Sequence, residues 1–172
     1  MRIKEQNQKK YLFHNVVLYL VFAFYLLILF LLLFHKANSF RSVNLIPLFS
    51  ITRYLSNDVL LHAFALSNIL GNIVLFLPLG VYLTLFNRNK NIVINTFLIV
   101  VISIMVEIIQ YIFKVGATDI DDVILNGIGG LIGIIIYKIL ELIFKGKTRR
   151  AIEIIAPVGG VMAFAALVII NM

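Results

Sequence analysis

From Val16 to Phe34 the chain carries no charged side chain, and every residue there is aliphatic or aromatic. At 1.5 Å of rise per residue, such a run is long enough to cross the roughly 30 Å hydrocarbon core of a bilayer. No small-residue cleavage site follows it, so it reads as a retained first helix rather than a signal peptide. The composition agrees: 62% of the 172 residues are hydrophobic and the mean hydropathy is +1.04, more than one soluble core of this size can hide. Cysteine is absent, which excludes disulfides and thiolate chemistry.

Four more apolar runs follow. Val59 to Phe86 is interrupted by His62, Asn68, Asn72 and Pro78; Ile92 to Phe113 reads as broken by Ser103, Glu107 and Gln110; Asp119 to Phe144 is glycine-rich at its start; Ile154 to Ile170 is short and clean. The pattern predicts an all-α, polytopic membrane helix bundle of about five transmembrane helices, forming a single membrane domain over residues 1–172. Short turns make neighbouring helices antiparallel. Between the first two runs, Asn44-Leu-Ile-Pro47-Leu-Phe49 is too apolar for a solvated loop and too short to span. It is expected to be a short re-entrant or interfacial segment.

Basic residues set the orientation. A cytoplasmic N-terminus and an outer C-terminus put Arg2, Lys4, Lys9, Lys10, Arg88, Lys90, Lys138, Lys145, Lys147, Arg149 and Arg150 inside, leaving Lys36, Arg41, Arg53 and Lys114 outside. That is the asymmetry of the positive-inside rule, so the net charge of +7 reflects topology and anionic inner-leaflet lipid, with no nucleic acid implied.

In that orientation Glu107 lies roughly 9 Å below the outer end of the third run, and Asn126 roughly 10 Å below the start of the fourth. Asn68 falls in the same outer half and Asn72 nearer the midplane. Helical spacing groups the polar residues. Asp119, Asp122, Asn126, Gly129, Gly130 and Gly133 share one stripe, with Asp121 pointing elsewhere. Ser103, Glu107, Gln110, Tyr111 and Lys114 share another, and Asn68, Gly71 and Asn72 a third. These stripes are expected to face each other around an outer polar pocket, glycines allowing close approach. A carboxylate at this depth needs an offset: Arg41, Lys114 or Arg53 as cations, Asn68, Asn72, Gln110 and Asn126 as hydrogen-bond partners, or a proton on Glu107.

Duller roles compete. Asp119 and Asp122 suit the cap and dipole of the fourth helix, Asn68 and Asn126 suit interhelical contacts, and the glycines suit packing. Glu107 stands out, because an ionisable residue within a span is a functional hypothesis by default. His14, His35 and His62 are isolated and lack metal-ligand spacing; neither a metal nor a cofactor is expected.

"RSVNLIPLFSI" (41–51), "SNILGNIVLFLPLGVYL" (67–83), "VEIIQ" (106–110) and "GATDIDDVILNGIGGLIG" (116–133), in this order and spacing, resemble the successive motifs of VanZ-like membrane proteins over a core of about residues 41–137. The resemblance implies a small polytopic protein of the bacterial plasma membrane, in a family whose founding member is associated with low-level resistance to teicoplanin. The family's recurring positions fall here on Arg41, Asn44, Pro47, Asn68, Asn72, Pro78, Gly80, Glu107, Gln110, Asp119, Asp122 and Asn126. An arginine expected just before the aspartate motif is replaced by Gly116-Ala117-Thr118, leaving Arg41 or Lys114 as counter-charge.

The preferred functional expectation is a binding or protective pocket at the outer leaflet. Its residues are Arg41, Asn44, Asn68, Asn72, Glu107, Gln110, Asp119, Asp122 and Asn126, with Arg41 reaching the acids from a segment folded over them. Its partners would be membrane lipids and a lipid-linked cell-wall precursor or lipoglycopeptide, with a homo-oligomer open. An intramembrane enzyme using Glu107 and Asp122 is the alternative, though GxSxG and HExxH are absent. A proton- or ion-coupled carrier is the third reading, and the chain shows no inverted repeat to favour it.

Overall fold

The computed structural model describes residues 2–34, 43–49, 52, 59–87, 89–113 and 118–157. It is all-α, with helices α1 (Arg2–Phe34), α2 (Val59–Phe86), α3 (Ile92–Phe113) and α4 (Ile120–Phe144), and a further helical run, α5, described over 148–157. Among the described residues four helices are long and apolar enough to cross a membrane, with spans Asn15–Phe34, Asn68–Phe86, Ile92–Phe113 and Ile120–Phe144. The remainder of the expected fifth crossing, beyond 157, lies outside the described residues.

The chain divides into two compact units, one of Leu31–Ile139 and the other of the chain before and after it. In the second of these, α4 ends where Lys145 (φ 36°) and Gly146 (φ 75°) turn left-handed. The Lys147 N–H donates to Phe144 O at 3.0 Å, which closes the helix end, and glycine tolerates that backbone without strain. The chain re-enters helix at Thr148, within the basic run from Lys145 to Arg150.

The unit Leu31–Ile139 holds α2, α3 and most of α4, and on α3 the packing inverts the logic of a water-soluble bundle. The buried residues of α3 are Asn95, Ile99, Ser103, Glu107 and Gln110, a single three-or-four-residue stripe that is mostly polar. The opposite face exposes Val93, Phe97, Ile104, Ile108 and Ile112, as lipid contact requires, since apolar side chains gain nothing by leaving lipid for protein.

Small residues bring the helices together. A Cβ on Gly129 would strike the Ile73 carbonyl, one on Gly133 the Leu77 carbonyl, and one on Gly80 the Gly130 carbonyl, while Gly127 and Gly130 face Val100 and Ile99. The Gly129–Ile73 and Gly133–Leu77 pairings rise together along α2 and α4, so those helices run parallel, and the Gly127–Val100 and Gly130–Ile99 pairings fall along α3 as they rise along α4, so α3 is antiparallel to both. Pro78 lies inside α2 without ending it. Gly71 has open space around it and does not join the contact stripe predicted with Asn68 and Asn72.

The α2–α3 corner is built from asparagines. Asn87 Oδ1 accepts from Asn89 N at 3.1 Å, and Asn89 Oδ1 from Asn91 N at 3.0 Å. Asn91 then caps α3 by accepting from Val93 N at 2.9 Å and Ile94 N at 3.2 Å, as favoured at a helix start. Beneath the corner, Asn87 Nδ2 donates to Asn95 Oδ1 at 2.7 Å and Asn95 Nδ2 to Thr84 Oγ1 at 3.4 Å. Lys90 Nζ donates to the Thr84 and Leu85 carbonyls and lies 4.6 Å from the centre of the Tyr137 ring. Asn95 and Thr84 also interrupt apolar runs but belong to none of the polar stripes expected from helical spacing.

The segment before α2 is anchored by a parallel pairing of β1 (Val43–Asn44) with β2 (Thr118–Asp119), in register Val43 to Thr118 and Asn44 to Asp119. It continues into a turn closed by Phe49 N donating to Ile46 O at 3.3 Å. Pro47 occupies the second position and Leu48, with φ 63°, the third, where such a turn ordinarily takes glycine or asparagine. A left-handed leucine costs roughly 1–2 kcal/mol.

Two glycines of similar sequence setting should respond oppositely. Gly133→Ala should lower the thermal midpoint of the purified protein, because forced overlap in packed contacts costs about 1–3 kcal/mol. Gly71→Ala should leave it unchanged or raise it, by up to about 1 kcal/mol. A tolerated Gly133→Ala would contradict the α2–α4 packing.

Candidate functional site

The first N–H groups of a helix have no partner within it, and near lipid they must find one inside the protein. At the start of α4 the partner is Asp119, whose Oδ1 accepts from Asp121 N at 2.9 Å. The capping role is thus realised, but Asp119 does more. Its own N–H donates to Glu107 Oε2 at 3.0 Å, drawing the α3 carboxylate against the helix start. Asn44 Nδ2 donates to Asp119 Oδ1 at 2.9 Å, fastening the segment before α2 to the same point. Thr118 Oγ1 adds a 3.5 Å contact to the Glu107 carbonyl.

Also in the first turn of α4, Asp122 Oδ1 accepts from Asn72 Nδ2 at 2.5 Å and from Asn68 Nδ2 at 3.4 Å. Asn68 and Asn72 are four apart on α2 and so share a face. Asp121, expected to point away, is instead 1% exposed and accepts from Leu48 N at 2.5 Å. The helical pattern missed it because the Asn44–Phe49 segment covers that side of the first turn, a contact 73 residues away in sequence.

Of the residues predicted for the site, Asn44, Asn68, Asn72, Glu107, Asp119 and Asp122 thus gather at the start of α4 in two bonded groups, Asn44, Glu107 and Asp119 with Asp121 in one and Asn68 and Asn72 with Asp122 in the other. Two others do not. Gln110 is buried, but its Nε2 donates to Leu33 O in α1 at 2.9 Å, away from the acids. Asn126 lies a turn deeper, where its Nδ2 donates to Ser103 Oγ at 2.8 Å, tying α3 to α4. Tyr111 is 45% exposed, so it leaves the stripe it was assigned to. Arg41, Arg53 and Lys114, the expected counter-charges, lie outside the described residues.

The electrostatic character is that of gathered acceptors. Four carboxylates meet at the positive end of the α4 dipole, with asparagine amides and backbone N–H groups as the donors shown. Among the described residues no three His, Cys, Asp or Glu side chains are disposed to hold a metal ion. Such a cluster suits recognition of groups that donate hydrogen bonds, namely hydroxyls, amides and ammonium.

The profile of the VanZ/LLP1 family matches residues 9–141, beginning well before the first of the quoted motifs and taking in most of α1. Protein VanZ of Enterococcus faecium is 38% identical over 68 residues, which are 40% of this chain and 42% of that relative. The matched region therefore spans less than half the length of the curated relative. No solved structure matches the chain.

The Asn72–Asp122 contact should be measurable in isolation. A double-mutant cycle on Asn72→Ala and Asp122→Ala, read by unfolding in detergent, should give a coupling between about 0.6 kcal/mol, the average for polar contacts between membrane helices, and about 1.7 kcal/mol, the largest found. Additive effects would remove the contact.

Proposed function

The chain belongs to the VanZ/LLP1 family, and from that membership we propose that it is a multi-pass protein of the bacterial plasma membrane whose carboxylate cluster binds the polar head of an amphiphilic cell-wall-related molecule. The N-terminus is cytoplasmic in this reading, and the cluster faces the outer leaflet, where lipoglycopeptides and lipid-linked wall precursors place their heads. Binding there withholds or protects, in the manner of glycopeptide resistance.

One observation carries the reading. Glu107 from α3, Asp119, Asp121 and Asp122 from the start of α4, and Asn44, Asn68 and Asn72 from earlier in the chain all meet around one helix end. Glu107 and Asp121 are 6% and 1% exposed, and burying acids costs several kcal/mol unless something offsets it. A scaffold for helix packing alone has cheaper solutions, such as the glycine contacts below. The chemistry on offer is acceptance of hydrogen bonds from hydroxyls, amides and ammonium groups, which glycopeptides and wall precursors display in number.

The test is binding of teicoplanin to the full chain in lipid nanodiscs, with Glu107→Gln as the probe of charge. Gln keeps the shape and an acceptor, while a hydrogen bond to a charged group is worth about 1.5–3 kcal/mol, so affinity should fall by about tenfold or more. Unchanged affinity in a variant of normal membrane abundance would sink the charge-based mechanism. Turnover of a lipid-linked precursor, in place of saturable binding, would make the protein an intramembrane enzyme instead.

A further inference from the structure

The turn before α2 presents a paradox of side chains. Leu45, Ile46, Leu48 and Phe49 are 69%, 62%, 49% and 44% exposed, although the segment's backbone is tied down at several points. Asn44 bonds Asp119, the Asn44 Oδ1 accepts from Ile46 N at 3.2 Å, and Leu48 N donates to Asp121. The segment is thus held by its backbone and by Asn44, with its apolar side chains turned outward.

Leu48 sharpens the point. A leucine with φ 63° occupies a turn position that glycine fills without strain, and such strain persists where the surroundings over-determine it. The protein core does not supply the return, since the side chain is about half exposed. The turn is instead bonded, through Leu48 N, to Asp121 in the first turn of α4, a helix long and apolar enough to cross a membrane. The same cluster joins it to the start of α4 and the outer turns of α3, where Ile112 and Phe113 are 60% and 69% exposed, and α2 exposes Leu66 and Leu70 nearby in sequence to Asn68.

We infer that the Leu45–Phe49 turn is a lipid-inserted hook, seated at the headgroup and acyl-chain boundary beside the carboxylate cluster, and that Asp121 is the latch that positions it by accepting the Leu48 N–H. The occupant of the patch is the bilayer itself. An element of this kind buries its apolar face about 5–10 Å below the surface, while its remaining backbone polar groups stay satisfied from the protein side. The hook lies beyond the ligand reading and stands whether or not the acids take a ligand.

The chain has no tryptophan, so Ile46→Trp creates a single fluorescent reporter at the tip. In the full chain reconstituted into phosphatidylcholine vesicles, its emission should be blue-shifted. Lipids brominated near the headgroup end of the acyl chain should quench it more strongly than lipids brominated deep, and aqueous acrylamide only weakly. Emission at the wavelength of exposed indole, quenched by acrylamide and untouched by brominated lipid, would overturn the hook. In the same background, Asp121→Asn keeps an acceptor oxygen and should preserve the lipid quenching, whereas Asp121→Ala should lose it and gain acrylamide access. Equal quenching in both variants would overturn the latch while leaving the hook to be judged by the parent alone. Circular dichroism of each variant separates a freed turn from an unfolded chain.

Discussion

The start of α4 is the point on which the surrounding structure depends. A helix that begins at the edge of lipid exposes N–H groups that water is not there to satisfy, and Asp119 resolves this in three directions at once. Its carboxylate caps Asp121 N and receives Asn44 Nδ2, and its own N–H reaches Glu107. A neutral cap such as serine satisfies one N–H. A carboxylate has enough acceptor sites to hold a second element, and the strand pairing Asn44 with Asp119 follows from that.

From this junction the helices pack according to the solvent they share. Apolar faces are left to lipid, so what distinguishes an interior face is smallness and polarity. On α4 both occur in sequence order: carboxylates first, then Asn126 against Ser103, then the glycines against the α2 backbone. The far end closes with a second polar group, in which Lys90 covers the last carbonyls of α2 and leans on Tyr137. A cation at the negative end of α2 complements its dipole as the acids complement that of α4. The unit is therefore polar at its two ends and close-packed between them.

How much of this the sequence disclosed depends on range. The helix limits of α2 and α3 coincide with the apolar runs Val59–Phe86 and Ile92–Phe113, because in lipid a run of suitable length has few other fates. The buried stripe Ser103, Glu107, Gln110 was legible from helical period alone, and so was the partnership of α2, α3 and α4 through their polar faces. Period says which residues share a face but not what lies opposite. Gln110 has the right face, yet its partner is a carbonyl in α1 that no spacing rule could name. Asp121 has the wrong face by counting, and is buried because a distant turn folds over it. Gly71 and Gly133 both sit on predicted contact stripes, and only the neighbour's backbone tells them apart. Asn95 and Thr84 were visible as interruptions; their burial marks a second polar centre that a reading focused on acids does not weigh.

The central claim is that the segment before α2 docks on the start of α4, and the cysteine-free chain allows it to be tested by disulfide trapping in native membranes. Val43 and Thr118 are register partners, and neighbouring strands lie about 4.8 Å apart, within the range a disulfide spans. Val43→Cys with Thr118→Cys should cross-link readily under mild oxidant while leaving Asp119 and Glu107 intact. Val43→Cys with Val93→Cys, at the opposite end of α3, should not. A 43–118 pair that stays reduced although each cysteine reacts with a maleimide, or that cross-links no faster than the 43–93 pair, would contradict the account.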